Sequence, residues 1–185
     1  MVGPDHTGLD HDRAAAACPE PLTAADFAPF GMVIETAGVT PVMINEGTTA
    51  RFHALAAADV AADGGTPILS IFRGTRRPDP IAIRMMERHP LGSQAFMPLA
   101  VHDWLVVVAP SDGADRAPDF DRLRCFLASG AQGVSYARNV WHHPLLILQP
   151  RQDFLILDRA GPQGEAATAN LQEHWLDEVV AEIAL

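Results

Sequence analysis

Lysine is absent from all 185 residues; every one of the 13 basic side chains is arginine. A chain without an ε-amine cannot carry a Walker phosphate loop, a pyridoxal-phosphate Schiff base or a lysine-dependent aldolase site, so neither a nucleotide nor PLP is expected as cofactor. Positive charge is scarce altogether: 23 acidic residues leave a net charge of −10. That balance argues against a nucleic-acid backbone or an anionic membrane surface as partner, since each requires a basic face. Cysteine is limited to the isolated pair Cys18 and Cys125, which form neither a zinc knuckle nor a disulfide framework. Long apolar runs are missing too. The longest, residues 104–110 and 144–148, fall far short of a bilayer span. Residues 1–13, with Asp5, His6, Asp10 and His11, hold no signal-like apolar stretch. The expectation is a soluble cytoplasmic protein.

What is present suits one globular domain. A chain of this length can bury roughly 70% of the surface its unfolded form exposes, so it needs no staple to fold. Residues 1–20 read as a flexible tail and 21–185 as a single domain. Thr23 and Asp26 have capping-box spacing ahead of a short helix, with Gly31 as its stop. Asn45-Glu46-Gly47 is a turn signal between two short strand-like stretches. Strand-like stretches follow over 67–73, 80–89, 93–99, 103–109, 134–136, 144–148 and 153–158. Residues 119–129 read as a helix, with Phe120, Leu123, Phe126 and Leu127 apolar and Gly130 after them. Residues 171–183 fit helix and strand equally. Many short strands and few helices predict a mainly β sandwich or barrel with peripheral helices.

Two constellations carry chemistry. In Glu87-Arg88-His89-Pro90-Leu91-Gly92-Ser93-Gln94, strand alternation places Glu87 and His89 on one face and Arg88 on the other. If Ile81, Ile83 and Met85 face inward, Glu87 and His89 do so too, and polar groups there require hydrogen bonds, a ligand or a metal. In Arg138-Asn139-Val140-Trp141-His142-His143-Pro144, adjacent histidines point to opposite faces, so at most one enters a given site. Cupin barrels place metal ligands as His-x-His, then Glu after three or four residues, with a later Gly-x-x-His. Glu87-x-His89-x4-Gln94 and Asn139-x-x-His142 resemble that pattern, with Glu and Gln in place of two usual types. Two imidazoles, a carboxylate and an amide oxygen suit a divalent transition metal.

Together, Ile44-Asn45-x-Gly47, Arg51-Phe52-His53, the Glu87 to Phe96 stretch, Gln132-Gly133-Val134 and Arg138 to Leu145 are similar to the ureidoglycolate lyase family, formerly called ureidoglycolate hydrolase. The likeness runs from about Leu22 to Arg159 and on into Asn170-Leu171-Gln172-Glu173. It implies a cupin-like, jelly-roll β-barrel, a homodimer, and cleavage of ureidoglycolate to glyoxylate and urea at the end of allantoin breakdown in purine catabolism. It also implies a divalent metal, nickel in some members.

That chemistry needs a group to hold the substrate carboxylate, a base for the hydroxyl and an acid for the departing urea nitrogen. A metal would lower the hydroxyl pKa. The expected catalytic residues are His89, His142 and Glu87. The expected metal ligands are Glu87, His89, Gln94 and His142. Arg73, at the end of an apolar strand, is the candidate for the carboxylate, with Gln94, Asn45, Arg138 and Tyr136 as further substrate contacts. Each has a plainer role as well: a salt-bridge network for Arg73, turn formation for Asn45 and core packing for Tyr136, the chain's one tyrosine. Two other classes stay open. A metal-dependent cupin isomerase or dioxygenase would act on another small acid, and oxygen dependence would support the latter. A non-catalytic cupin would bind a small anion without turnover.

Overall fold

The computed structural model describes residues 15–166 and 168–185. The strands in chain order are β1 (Ala15–Ala16), β2 (Glu20–Pro21), β3 (Gly31–Ile34), β4 (Val42–Ile44), β5 (Thr49–Arg51), β6 (Thr66–Thr75), β7 (Ile81–Ile83), β8 (Met85–Arg88) and β9 (Gln94–Pro98). They continue as β10 (Trp104–Ala109), β11 (Arg124–Ala128), β12 (Gly133–Tyr136), β13 (Trp141–His142), β14 (Leu146–Ile147), β15 (Arg151–Ala160), β16 (Gln172–Trp175) and β17 (Ala181–Ile183). The fold is mainly β, as expected for a cupin-like protein. One sheet runs β3-β12-β9-β15-β6, a second runs β16-β8-β13-β10-β11-β2 with β14 also on β10, and a third runs β1-β17-β7.

The apolar run Trp104–Ala109 explains the layering. A strand with no polar position has both faces covered. Trp104, Val106 and Val108 enter an inner core with Phe96, Phe126, Val134, Tyr136 and Phe154. Leu105, Val107 and Ala109 enter an outer core with Ile81, Ile83, Trp141 and Ile183. No helix among the described residues is long and apolar enough to cross a membrane.

The helix α1 (Ala24–Phe27) is a single turn, and Thr23 caps it by accepting the Asp26 N–H at 3.1 Å. Gly31 does not end that helix. It opens β3 at a positive φ of 149°, where a Cβ would collide with the Ser135 carbonyl. Asn45-Glu46-Gly47 does turn the β4–β5 hairpin, with φ of 52°, 57° and 83°.

Three further expectations are corrected. Residues 119–129 are not a helix: a 3-10 turn over Phe120–Arg122 leads into β11, antiparallel to β10. Cys125 packs in the outer core and Phe126 in the inner one, so two buried faces mimicked a helical stripe. Ile81 and Ile83 do not share a face with Glu87. They lie in the outer core on β7, which belongs to a different sheet from β8, and the alternation breaks at Arg84. The last part of the tail assigned to 1–20 is paired structure: β1 lies parallel to β17, and β2 parallel to β11. Asp5, His6, Asp10 and His11 lie outside the described residues. The undecided stretch 171–183 is strand, as β16 and β17.

Candidate metal centre

The larger sheet fixes the site by register. Val108 pairs with His142, and His142 with Glu87. Directly paired residues project to the same face, so His142 and Glu87 follow Val108 inward. His89, two residues beyond Glu87, joins them, and the ligand atoms of Glu87, His89 and His142 lie within 4.8 Å of one another. The two imidazole centroids are 5.4 Å apart.

Hydrogen bonds set both tautomers. His89 Nδ1 lies 2.7 Å from the Asn170 carbonyl and His142 Nδ1 lies 2.9 Å from the Val140 carbonyl. A carbonyl only accepts, so each Nδ1 carries the proton and each Nε2 presents a lone pair. Both Nε2 atoms are buried without a partner, and so is Gln94 Oε1. Gln94 is held from its other end, where Nε2 donates to Asp158 at 2.9 Å. Glu87 Oε1 stands 3.6 Å from His142 Nε2. A carboxylate and an imidazole lone pair at that distance do not bond to each other. They suit a shared cation, since metal bonds of about 2.1 Å separate neighbouring donors by about 3 to 3.5 Å. Leaving three buried acceptors unpaired would cost roughly 1–3 kcal/mol each. The residues therefore fit a divalent metal.

Electrostatics point the same way. Burial first, then His89, pushes His142 down to about 3, against the pull of its Val140 bond. It is neutral at physiological pH, the state in which histidine ligates. Burial raises the Glu87 carboxyl, His89 opposes this, and Glu173 and Asp158 reinforce it. Tyr136 stacks on His142 with centroids 4.1 Å apart, and burial followed by Glu87 raises its phenol, so it serves as a wall.

His143 faces away from this cluster. It is buried, with Nδ1 donating to the Pro144 carbonyl. Burial chiefly pushes it down to about 4, partly opposed by that bond and reinforced by Arg77. Both histidines thus titrate in the fold below their ordinary 6.5. As pH falls below 6.5 the unfolded chain takes up protons that the folded chain refuses, so stability is full above that value and is lost on the way down to about 4 for His143 and about 3 for His142. Glu87, being raised, acts in the opposite sense, one group against two. The melting temperature of metal-free protein should fall steadily below pH 6.5. A flat profile between pH 7 and about 5 would contradict this assignment.

The other expected contacts are placed as follows. Arg73 pairs in a fork with Asp153 at 2.7 Å and lines a cleft of about 520 Å³ that also contains Glu87, Phe72, Phe96 and Leu145. Arg138 donates to the Pro90 carbonyl from Nε and Nη2, at 3.2 and 3.0 Å. Asn45 sits in its hairpin turn, donates to Thr49, and does not line that cleft. A slightly larger cleft, about 570 Å³, contains none of the four donors.

Several supporting groups were not legible beforehand. Asn170 holds His89 by its carbonyl and the Leu91 N–H by its side chain at 2.7 Å. Asp158 aims Gln94. Arg88 faces away from the site, as alternation required. Its guanidinium stacks on Trp141 at 4.4 Å and bonds Asp115 and Gln172. Asp115 also accepts from Asn139, whose N–H donates to the His89 carbonyl at 3.0 Å. This network ties the strand of Glu87 to the turn before His142. The Asn170 to Glu173 motif was the one sequence signal pointing to this layer.

Comparison with known proteins places the same segments in one family. The family model described as Ureidoglycolate lyase matches residues 15–183. A ureidoglycolate lyase of Burkholderia mallei (strain NCTC 10229) is 51% identical over 158 residues, 85% of this chain and 91% of the relative. One of Brucella anthropi is 52% identical over 164 residues, 89% of this chain and 92% of the relative. Ureidoglycolate lyase 1 of Rhizobium meliloti (strain 1021) is 51% identical over 159 residues, 86% and 88% of the two chains.

Proposed function

The chain belongs to the ureidoglycolate lyase family, and on that premise we propose that it cleaves ureidoglycolate to glyoxylate and urea, the step that ends allantoin breakdown, at Glu87, His89, Gln94 and His142. The observation that carries the site is the pair of buried, unpaired acceptors His89 Nε2 and His142 Nε2 on the two histidines whose ligand atoms lie within 4.8 Å of the Glu87 carboxylate, with a third buried, unpaired acceptor, Gln94 Oε1, on β9. A divalent ion held there, nickel by family resemblance, would polarise the substrate hydroxyl and ease its deprotonation.

The chain's own residues supply the rest. The neutral imidazoles of His89 and His142 fix the donors, and Gln94 is oriented by Asp158. Glu87, the one carboxylate among the donors, takes the hydroxyl proton as the carbonyl of glyoxylate forms. The carbon–nitrogen bond breaks, and the same proton passes to the departing urea nitrogen. Positioned proton transfer of this kind typically contributes about 10² to 10⁴ in rate. Arg73, at the cleft wall, retains Nη1 for the substrate carboxylate while Asp153 fixes its fork. Tyr136 and Arg138 position His142 and the Pro90 segment.

Incubation with ureidoglycolate tests this reading through its products. Urea and glyoxylate in equal amounts are expected. Ammonia without urea would instead make the protein an amidohydrolase, and oxygen-dependent turnover of another small acid would make it a dioxygenase.

We also assign the protein to a homodimer. The outer face of β3-β12-β9-β15-β6 carries Leu69, Ile71, Met32 and Leu155 at 68%, 55%, 42% and 37% exposure. Contiguous apolar surface of this kind marks an interface, and β6 is the ten-residue edge strand of that sheet. Leu69→Asp should convert a dimer to a monomer by analytical ultracentrifugation. A monomeric wild-type chain at micromolar concentration would contradict the assignment. A cytoplasmic setting accords with the two free cysteines.

A further inference from the structure

The row of paired residues that builds the site does not end at Glu87. Across the sheet it runs Val108, His142, Glu87 and then Glu173 on the edge strand β16. Directly opposed partners present side chains to one face with Cβ atoms about 5 Å apart. Glu173 therefore faces the donor cluster. Its neighbours confirm the parity: Gln172 turns to Arg88 and His174 to Trp141, both on the opposite side. Glu173 is solvent-exposed.

Two carboxylates directly opposed across strands destabilise a sheet unless something compensates them. The other polar groups of this region are already engaged. Asp158 accepts from Gln94 and from the Arg159 N–H, Arg73 is forked to Asp153, and Arg138 holds Pro90. Among the described residues Glu173 has no side-chain hydrogen bond or ion pair.

A monosubstituted urea offers one N–H from each nitrogen on the side away from its carbonyl. These form a parallel fork of the kind that a carboxylate accepts bidentately. We propose that Glu173 is the anchor for the ureido group, accepting both N–H donors at the rim while the opposite end of the substrate lies on the donor cluster. The inference rests on the lyase reading. It also fixes orientation, because the substrate's own carboxylate is repelled from Glu173 and must point elsewhere, and it gives a reason for preferring a ureido acid over other 2-hydroxy acids.

The test is steady-state kinetics of wild type, Glu173→Gln and Glu173→Ala, with glyoxylate inhibition and calorimetric nickel binding measured alongside. KM for ureidoglycolate should rise roughly tenfold to a hundredfold, with kcat held within about threefold. Glyoxylate lacks the ureido group, so its inhibition constant should not move, and nickel should still bind at one equivalent. An unchanged KM would overturn the anchor. So would a parallel weakening of glyoxylate, which would make Glu173 a support for the whole cluster. A wild-type protein that releases no urea overturns the lyase reading first, and the anchor falls with it.

Discussion

Replacing His142 by alanine should lower kcat/KM on the order of 10³-fold or more while the chain stays folded. The loss follows from removing one of three closely spaced ligand atoms, all within 4.8 Å. Stability should change much less, and the balance can be argued. The imidazole is buried and stacked on Tyr136, so its removal leaves a cavity that costs about 1–3 kcal/mol. The lost bond to Val140 adds about 1 kcal/mol. Against these, removal of the unpaired Nε2 returns about 1–3 kcal/mol to the metal-free protein. The net is about 1 kcal/mol, or a melting temperature lowered by about 2–4 °C. A residue kept only for packing would show the reverse, with large destabilisation and activity per folded molecule preserved. That result would remove His142 from the centre.

Chelation should have the second largest effect. Dialysis against a strong chelator should reduce turnover at least about a hundredfold, and one divalent ion at one equivalent should restore it. The chelated protein should also melt lower than the loaded one, because an ion bound only by the folded state stabilises it by mass action. Full activity after chelation would leave Glu87, His89 and His142 as acid–base and substrate-binding groups alone.

Much of this site was legible because it depends on short-range periodicity. Glu87 and His89 are two apart, so one strand puts both on one face whatever lies around it. The pair His142-His143 had to divide between faces, and His142 is the one directed at Glu87. Local chemistry was readable elsewhere too, as in the Thr23 cap and the Asn45 turn. Long-range pairing was not. Ile81 and Ile83 match Glu87 in spacing, yet the break at Arg84 passes the chain from one sheet to another and inverts the parity. Residues 119–129 satisfy a helical stripe, but only the neighbouring β10 determines that Cys125 and Phe126 are buried on opposite faces. Asn170 and Asp158 lie 81 and 64 residues from the side chains they orient, and no local pattern encodes such bonds. Arg73 was read as a site residue from its place at a strand end. It does reach the cleft wall, but as one half of an exposed ion pair, which limits its own contribution to stability.

The most direct test is crystallography of nickel-loaded protein, with anomalous scattering collected on both sides of the nickel edge. One strong peak is predicted, bonded to Glu87 Oε1, His89 Nε2, Gln94 Oε1 and His142 Nε2. Occupied metal elsewhere with these four atoms still unpaired, or no specific peak at saturating nickel, would contradict the assignment of this cluster as the metal centre.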